Sequence, residues 1–434
     1  MTRTRWVALT WILLSCGLSA LWGFSMIRPS PNLMIDFKGV FYNTRCLFQH
    51  ADPYKISAPL NAYLADGVGR SMPPDGPRQV LMIDLYLPTA SIFIAPFAML
   101  PWGTAQVLWT ILGIGSFIFA AFLVWDSGAS YAPVISCGLI CFVLANTEAF
   151  FPFGNPVGIV ISLCVVAVWC FLKDRFVWAG VLCLAISLAI KPHDVGLVWL
   201  YFLLVGGLYR KRALQTLLVT AVLGLAAFLW VTPIAPHWMQ ELHSNLLAVS
   251  AHGGISDPGP TNATSRGPSI IIDLQSAVAV FRDDPRIYNS VSYLVCGALL
   301  LVWAIRTLRS RFSQTSAWFA LAAVVPLAML VTYHRVYDAK LLLLAVPACA
   351  MLWAGGGPIR WLALLATSAG IVFTADMPLT ILRSFTDNLH ISTPGIFGQI
   401  MSVVLTRPAQ LILLAMGIFY LWIYLQRDPE RGRP

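Results

Sequence analysis

The chain reads as an all-α integral membrane protein, and three observations predict this. Hydrophobic residues make up 58% of the 434 and charged residues only 11%, where soluble domains carry roughly a quarter charged. The mean hydropathy is +0.75. The apolar residues also fall into long runs, and a helix rising 1.5 Å per residue needs about 20 of them to cross a hydrocarbon core of about 30 Å.

Taken in order, the runs lie at about 6–27, 103–125, 131–150, 156–172, 176–190, 194–208, 213–233, 289–308, 317–333, 339–354, 358–376 and 405–425. They predict about twelve transmembrane helices in a single polytopic domain over 1–434. The first run is followed by no small-residue cleavage site and reads as an uncleaved span. The runs at 176–190 and 194–208 are short. The segment "LYLPTASIFIAPFAMLP" at 85–101 holds three prolines and reads either as re-entrant or as merging into the next span.

The formal charge is +9, but the basic residues are scattered through short loops, so a nucleic-acid partner is rejected. The clusters "MTRTR", "KDR" at 173–175, "YRKR" at 209–212, "RTLRSRF" at 306–312 and "RDPERGR" at the end all fall on the cytoplasmic side if the chain turns at Lys191-Pro192. Both termini are then cytoplasmic. Eight of the nine cysteines lie in apolar runs and Cys46 has no loop partner, which suggests neither a disulfide framework nor a zinc site.

This orientation places the polar, non-basic clusters on one outer face: the loop 28–85, "NTEAFFPFGNP" at 146–156, "KPHD" at 191–194, the loop 234–288, "YHRVYD" at 333–338, and the loop 377–404. Loops this long are uncommon without a function. In the first of them, Val40, Phe41, Leu47 and Phe48 share a helical face with Phe37, opposite Lys38, Gly39, Tyr42, Arg45 and Gln49. That pattern predicts an amphipathic helix on the membrane surface. Asp36 falls at its amino-terminal end, where it is either a helix cap or a reactive carboxylate.

The segment "DFKGVFYNTRCLFQHADPY" resembles the opening of the first outer loop in glycosyltransferase family 87. "LYLPTASIFIAPFAMLPW", "AGVLCLAISLAIKP" and "YHRVYDAKLLLLAVP" are similar to that family's Tyr-Pro, Ala-Gly…Lys-Pro and His-x-x-Tyr-Asp segments. Where many members have Gly-Gln-x-Asn, this chain reads "FGNPVG", so the motif's glutamine is missing. The resemblance implies a GT-C fold. It also implies transfer of a sugar, mannose in the mycobacterial members, from a polyprenyl-phosphate donor to a glycolipid or glycan hydroxyl. The expected setting is the outer, periplasmic face of a bacterial-type inner (plasma) membrane.

A hydroxyl needs a carboxylate to take its proton as the sugar–phosphate bond breaks, and the resemblance assigns that part to Asp36. The leaving phosphate needs cationic donors; the candidates are Lys191, His193, His334 and Arg335. Lys191 between two apolar runs reads either as functional or as a lysine snorkelling to the interface. His334 and Arg335, at a span end, read also as interfacial anchors. Glu148, Asn155, Tyr42, Tyr337 and Asp338 are candidates for acceptor or sugar contact, with Asp338 alternatively a structural partner of Arg335 or Lys191. No Asp-x-Asp motif occurs, and no metal or cofactor is expected; inversion at the sugar is implied by the resemblance alone. The competing class is a multi-span transporter or lipid flippase, which favours repeated halves with charges near the midplane, whereas here the polar residues gather on one face.

Overall fold

The computed structural model describes residues 3–25, 33–67, 82–147, 153–262, 269–388 and 395–426. Among these residues the chain is all-helical, with one isolated antiparallel bridge between Ile271 and Arg335. The first half contains α1 (Arg3–Ser25), α2 (Ile35–Phe48), α3 (Ser57–Ala65), α4 (Pro88–Ala98), α5 (Trp102–Gly128), α6 (Pro133–Ala145), α7 (Val157–Lys173), α8 (Val177–Ile190), α9 (Pro192–Val205) and α10 (Gly207–Val231). The second contains α11 (Trp238–Ser250), α12 (Leu274–Val278), α13 (Pro285–Arg309), α14 (Gln314–Val331), a 3-10 helix (Asp338–Ala345), α15 (Val346–Ala354), α16 (Ile359–Phe373), α17 (Asp376–Asn388), α18 (Ile396–Thr406) and α19 (Pro408–Gln426).

Every apolar run of the sequence is helical where described. Among the described residues, six helices, α1, α5, α10, α13, α14 and α19, are long and apolar enough to cross a membrane, or seven spans if α16 and the start of α17, bent by 73°, count as one. The other runs give shorter helices: α6 with 13 residues and α7 with 17 rise roughly 20 to 26 Å. The segment 85–101 forms neither a full span nor an extension of the next one. It contains the separate 11-residue α4, and Pro101 then caps α5.

Local chemistry explains several boundaries. Asp284 accepts from Arg286 N–H and Pro285 occupies the first position of α13, while Ser313 accepts from Ser316 N–H to start α14; both satisfy orphan amides. Between α8 and α9, Lys191 adopts φ −141°, and Pro192, lacking an N–H, cannot continue the ladder. A helix break therefore falls at a buried lysine.

Helix α14 is the centre, with 83% of its span buried, whereas α10 at 17% and α13 at 22% lie on the periphery. Helix α19 packs on α14 through Gly417, where a Cβ would come within 2.7 Å of Leu327 Cδ2. The predicted amphipathic helix after Asp36 is present as α2, but it does not lie free on a surface. The first turns of its supposed polar side are covered, with Lys38 1% and Tyr42 0% exposed, because Trp102, Tyr63 and α3 pack against them, while Arg45 is half-buried and Gln49 is exposed.

Candidate active site

The site is assembled from four chain breaks: the start of α2, the turn before α7, the Lys191 junction, and the segment between α14 and the 3-10 helix. Asp36 is the second residue of α2 and does not cap it; the cap position is Met34, at φ +53° with no side-chain cap bond. The Asp36 carboxylate instead accepts from Asn155 Nδ2 at 2.7 Å. The same amide lies 3.3 Å from the Tyr337 hydroxyl, and Asn155 Oδ1 accepts from Val157 N–H at 2.9 Å. Gly154, at φ +61°, sits where a Cβ would press on Phe37 and Met34, and its carbonyl accepts from Trp109 Nε1 at 2.9 Å. A water-sized cavity of about 20 Å³ lies beside Gly154 and Asn155.

Tyr337 connects this carboxylate to a buried ionic cluster. Lys191 Nζ sits 5.8 Å from the Tyr337 ring centroid, 3.1 Å from Asp338 Oδ1 and 3.2 Å from Asp194 Oδ2. Asp194 Oδ1 lies 3.2 Å from His334 Nε2 and 3.4 Å from His193 Nε2. Asp338 Oδ2 accepts from the Arg335 backbone N–H at 2.6 Å. The Arg335 guanidinium donates to the Tyr333 hydroxyl and, at 3.1 Å, to the Ile255 carbonyl.

The hydrogen bonds fix the charge on His334. Its Nδ1 is 2.9 Å from the Thr332 carbonyl, which can only accept, while Nε2 faces the Asp194 carboxylate. Both ring nitrogens therefore carry protons best. Burial opposes that charge, and the bond and field of Asp194 offset it, so the pKa is raised. Three cations, Lys191, His334 and Arg335, then stand against three carboxylates, Asp36, Asp194 and Asp338. Burial raises the Asp36 pKa, moderated first by Arg335, then by the Asn155 bond and Lys191. A carboxylate so placed is a stronger base than one in water.

The segment between α11 and α13, together with Gln410 of α19, holds this arrangement in place. Ile272 N–H donates to the His334 carbonyl at 2.9 Å and Val336 N–H to the Ile270 carbonyl at 3.0 Å. Gln275 Nε2 donates to the Val331 carbonyl at 2.7 Å, and Gln410 Nε2 reaches the Ile271 carbonyl at 2.5 Å.

Of the residues singled out in the sequence, Asp36, Asn155, Lys191, His193, His334, Arg335, Tyr337 and Asp338 meet here. Asp338 serves as a partner of Lys191 and of the Arg335 backbone. Tyr42 stands apart: its hydroxyl donates to Asp66 Oδ2 at 3.2 Å, and its ring stacks on Trp102. Glu148 lies outside the described residues. Sequence reasoning passed over Asp194, although its i, i+3 spacing from Lys191 was a visible signal. It also passed over Tyr86, which lies within electrostatic reach of Lys191, Asp36, Asp194 and Asp338.

Among the described residues, two groups have donor atoms close enough to hold a metal ion, His193–Asp194–His334 and His252–Asp257–Asp283. In the first, Lys191 already supplies a counter-charge to Asp194 at 3.2 Å. In the second, Asp257 accepts from the backbone N–H groups of Gly253 and Gly259 at 2.7 and 2.9 Å.

The structure is thus that of a helical membrane protein with a carboxylate next to a cluster of buried cations. The chain belongs to glycosyltransferase family 87, whose sequence profile matches residues 85–332. That stretch contains Asn155, Lys191 and Asp194 and stops just short of His334. No curated protein matches the chain.

Proposed function

We propose that the chain transfers a sugar, with mannose the first choice, from a polyprenyl-phosphate donor to a hydroxyl of a glycolipid or glycan. Asp36 is the general base. The acceptor O–H gives its proton to Asp36 as the acceptor oxygen bonds to the anomeric carbon. The anomeric carbon–phosphate oxygen bond breaks with its electron pair leaving on the polyprenyl phosphate, and attack from the opposite side inverts the sugar. The observation that carries this reading is the Asn155 bridge, which links Asp36 at 2.7 Å to Tyr337 at 3.3 Å and through Tyr337 to Lys191.

Charge balance supports the same assignment. Three cations and three carboxylates cancel before reaction; once Asp36 is protonated the cluster carries one surplus positive charge, just as the departing phosphate gains a negative one. Arg335 is the best-placed phosphate ligand, because among the described residues no carboxylate pairs with its guanidinium. His193, exposed at the cluster's edge, is next. Lys191 and His334 act through the surplus, each being held by carboxylates.

In this reading the protein has a GT-C fold of about twelve spans, counting the short helices, in a bacterial-type inner membrane. Both termini are cytoplasmic and the site opens on the outer face, with the loops at 28–85, 234–288 and 377–404 around it. The test is sugar transfer by purified protein from labelled polyprenyl-phosphate mannose, glucose and arabinose to a membrane glycolipid extract, wild type beside Asp36→Asn. Loss of about 10²- to 10⁴-fold is expected for a general base. Normal turnover in a correctly inserted Asp36→Asn protein would remove Asp36 from the mechanism.

A further inference from the structure

A second candidate binding surface lies at the far end of the molecule from this site. Helix α9 begins at the Lys191 junction and rises roughly 20 Å before the chain reverses at Gly206 and Gly207, both at positive φ (82° and 56°). There the first turns of α10 form an open groove of about 420 Å³ lined by Gly207, Arg210, Lys211, Leu214, Gln215 and Leu218.

The groove has a polar head and an apolar tail. Gly207, Lys211, Leu214 and Leu218 fall on one stripe of α10 at helical spacing, with the cations in the first turns and the leucines deeper along the span. Leu214 is 50% and Leu218 66% exposed, and α10 is among the least buried spans. The neighbouring cations are not equivalent. Arg212 is spent on the Phe171 carbonyl and on Asp174. Arg210 uses Nε on the Leu203 carbonyl at 3.1 Å, which leaves its terminal nitrogens for a ligand. Among the described residues, neither Arg210 nor Lys211 pairs with a carboxylate.

We propose that this groove binds one anionic phospholipid, its phosphate between Arg210 and Lys211 and an acyl chain along Leu214 and Leu218. Charge complementarity selects the occupant: two uncompensated cations at the start of a lipid-facing apolar stripe match a headgroup phosphate followed by a hydrocarbon tail. A general basic anchor would need the charges but not the stripe, and any nearby cation would serve it equally.

The test is native mass spectrometry of the full-length protein in detergent, titrated with phosphatidylglycerol and with phosphatidylcholine of equal chain length. The wild type is expected to retain phosphatidylglycerol at about tenfold lower concentration than phosphatidylcholine. Lys211→Gln is expected to weaken that preference and Arg210→Gln/Lys211→Gln to abolish it. Arg175→Gln, an exposed cation outside the groove, should keep it. Thermal unfolding without lipid checks that each variant is folded, and Lys211→Gln alone carries the test if the double variant is not. Equal retention of both lipids by the wild type, or equal loss in Arg175→Gln, would overturn the proposal. So would competition by inorganic phosphate as strong as that by the lipid, which would leave no part for the acyl chain.

Discussion

Asn155 donates its side-chain N–H to Asp36 across 119 positions of sequence, at 2.7 Å. Because the Asn155 carbonyl oxygen is itself fixed by the Val157 N–H, the amide cannot flip without losing a bond. The bond holds the carboxylate in one orientation and favours its ionised form against the burial that opposes it.

Replacing Asn155 with alanine removes a bond that lowers the Asp36 pKa. Burial already raises the Asp36 pKa above the ordinary carboxylate range near 4, so the acid limb of kcat/KM is expected to move to still higher pH in the variant. The rate on the alkaline plateau should fall about 10-fold or more. A pH–rate profile of the variant checks both; an unmoved acid limb would break the link between this bond and the base.

Lys191→Met leaves Asp194 and Asp338 buried without their shared cation. Breaking a buried pair by removing one partner costs about 3 to 5 kcal/mol, so the variant is expected to unfold at markedly lower temperature. Adding Asp338→Asn should recover part of that loss. A calorimetric double-mutant cycle measures the recovery, and purely additive losses would mean that the two residues do not interact.

Gly154→Ala places a side chain at φ +61°, with its Cβ 3.0 Å from Phe37 Cβ. Strain of roughly 1 to 3 kcal/mol is expected, relieved by shifting the turn that presents Asn155. Turnover should fall more than stability does, as read by activity beside thermal unfolding.

Asp84 is buried and its pKa is pushed up to about 7 by that burial, despite bonds from Tyr86 and Leu85 N–H and from Asn43. A carboxyl whose folded pKa is raised gives stability that is complete below its unfolded pKa near 4. That stability is lost as pH climbs through about 7. Wild-type stability should therefore decline between pH 4 and 7, and Asp84→Asn should flatten the slope. Thermal unfolding across that interval is the check.

Much of this was legible in the sequence. Hydropathy located most of the apolar helices, because length and composition decide what can be buried in lipid, although α18 fell in a stretch read as loop; the polarity of the loops singled out Asp36, Asn155, Lys191 and His334, which the structure brings together. The spans themselves were less legible, since α6 to α9 are shorter than a membrane is thick and their length does not settle how they traverse it. The surface helix was misread for a different reason: a helical wheel records which faces differ, not whether a second layer such as Trp102 and Tyr63 covers the polar one. Asp194 was overlooked because a single acid beside Pro-His looks like ordinary helix-start chemistry until Lys191 and His334 are seen around it.

The bond from Arg335 to the Ile255 carbonyl ties the chain after α11 to a charge. The guanidinium it engages is the cation with no carboxylate partner among the described residues, so the position of a single backbone carbonyl sets how many of its donors are spent inside the protein and how many are left for an anion.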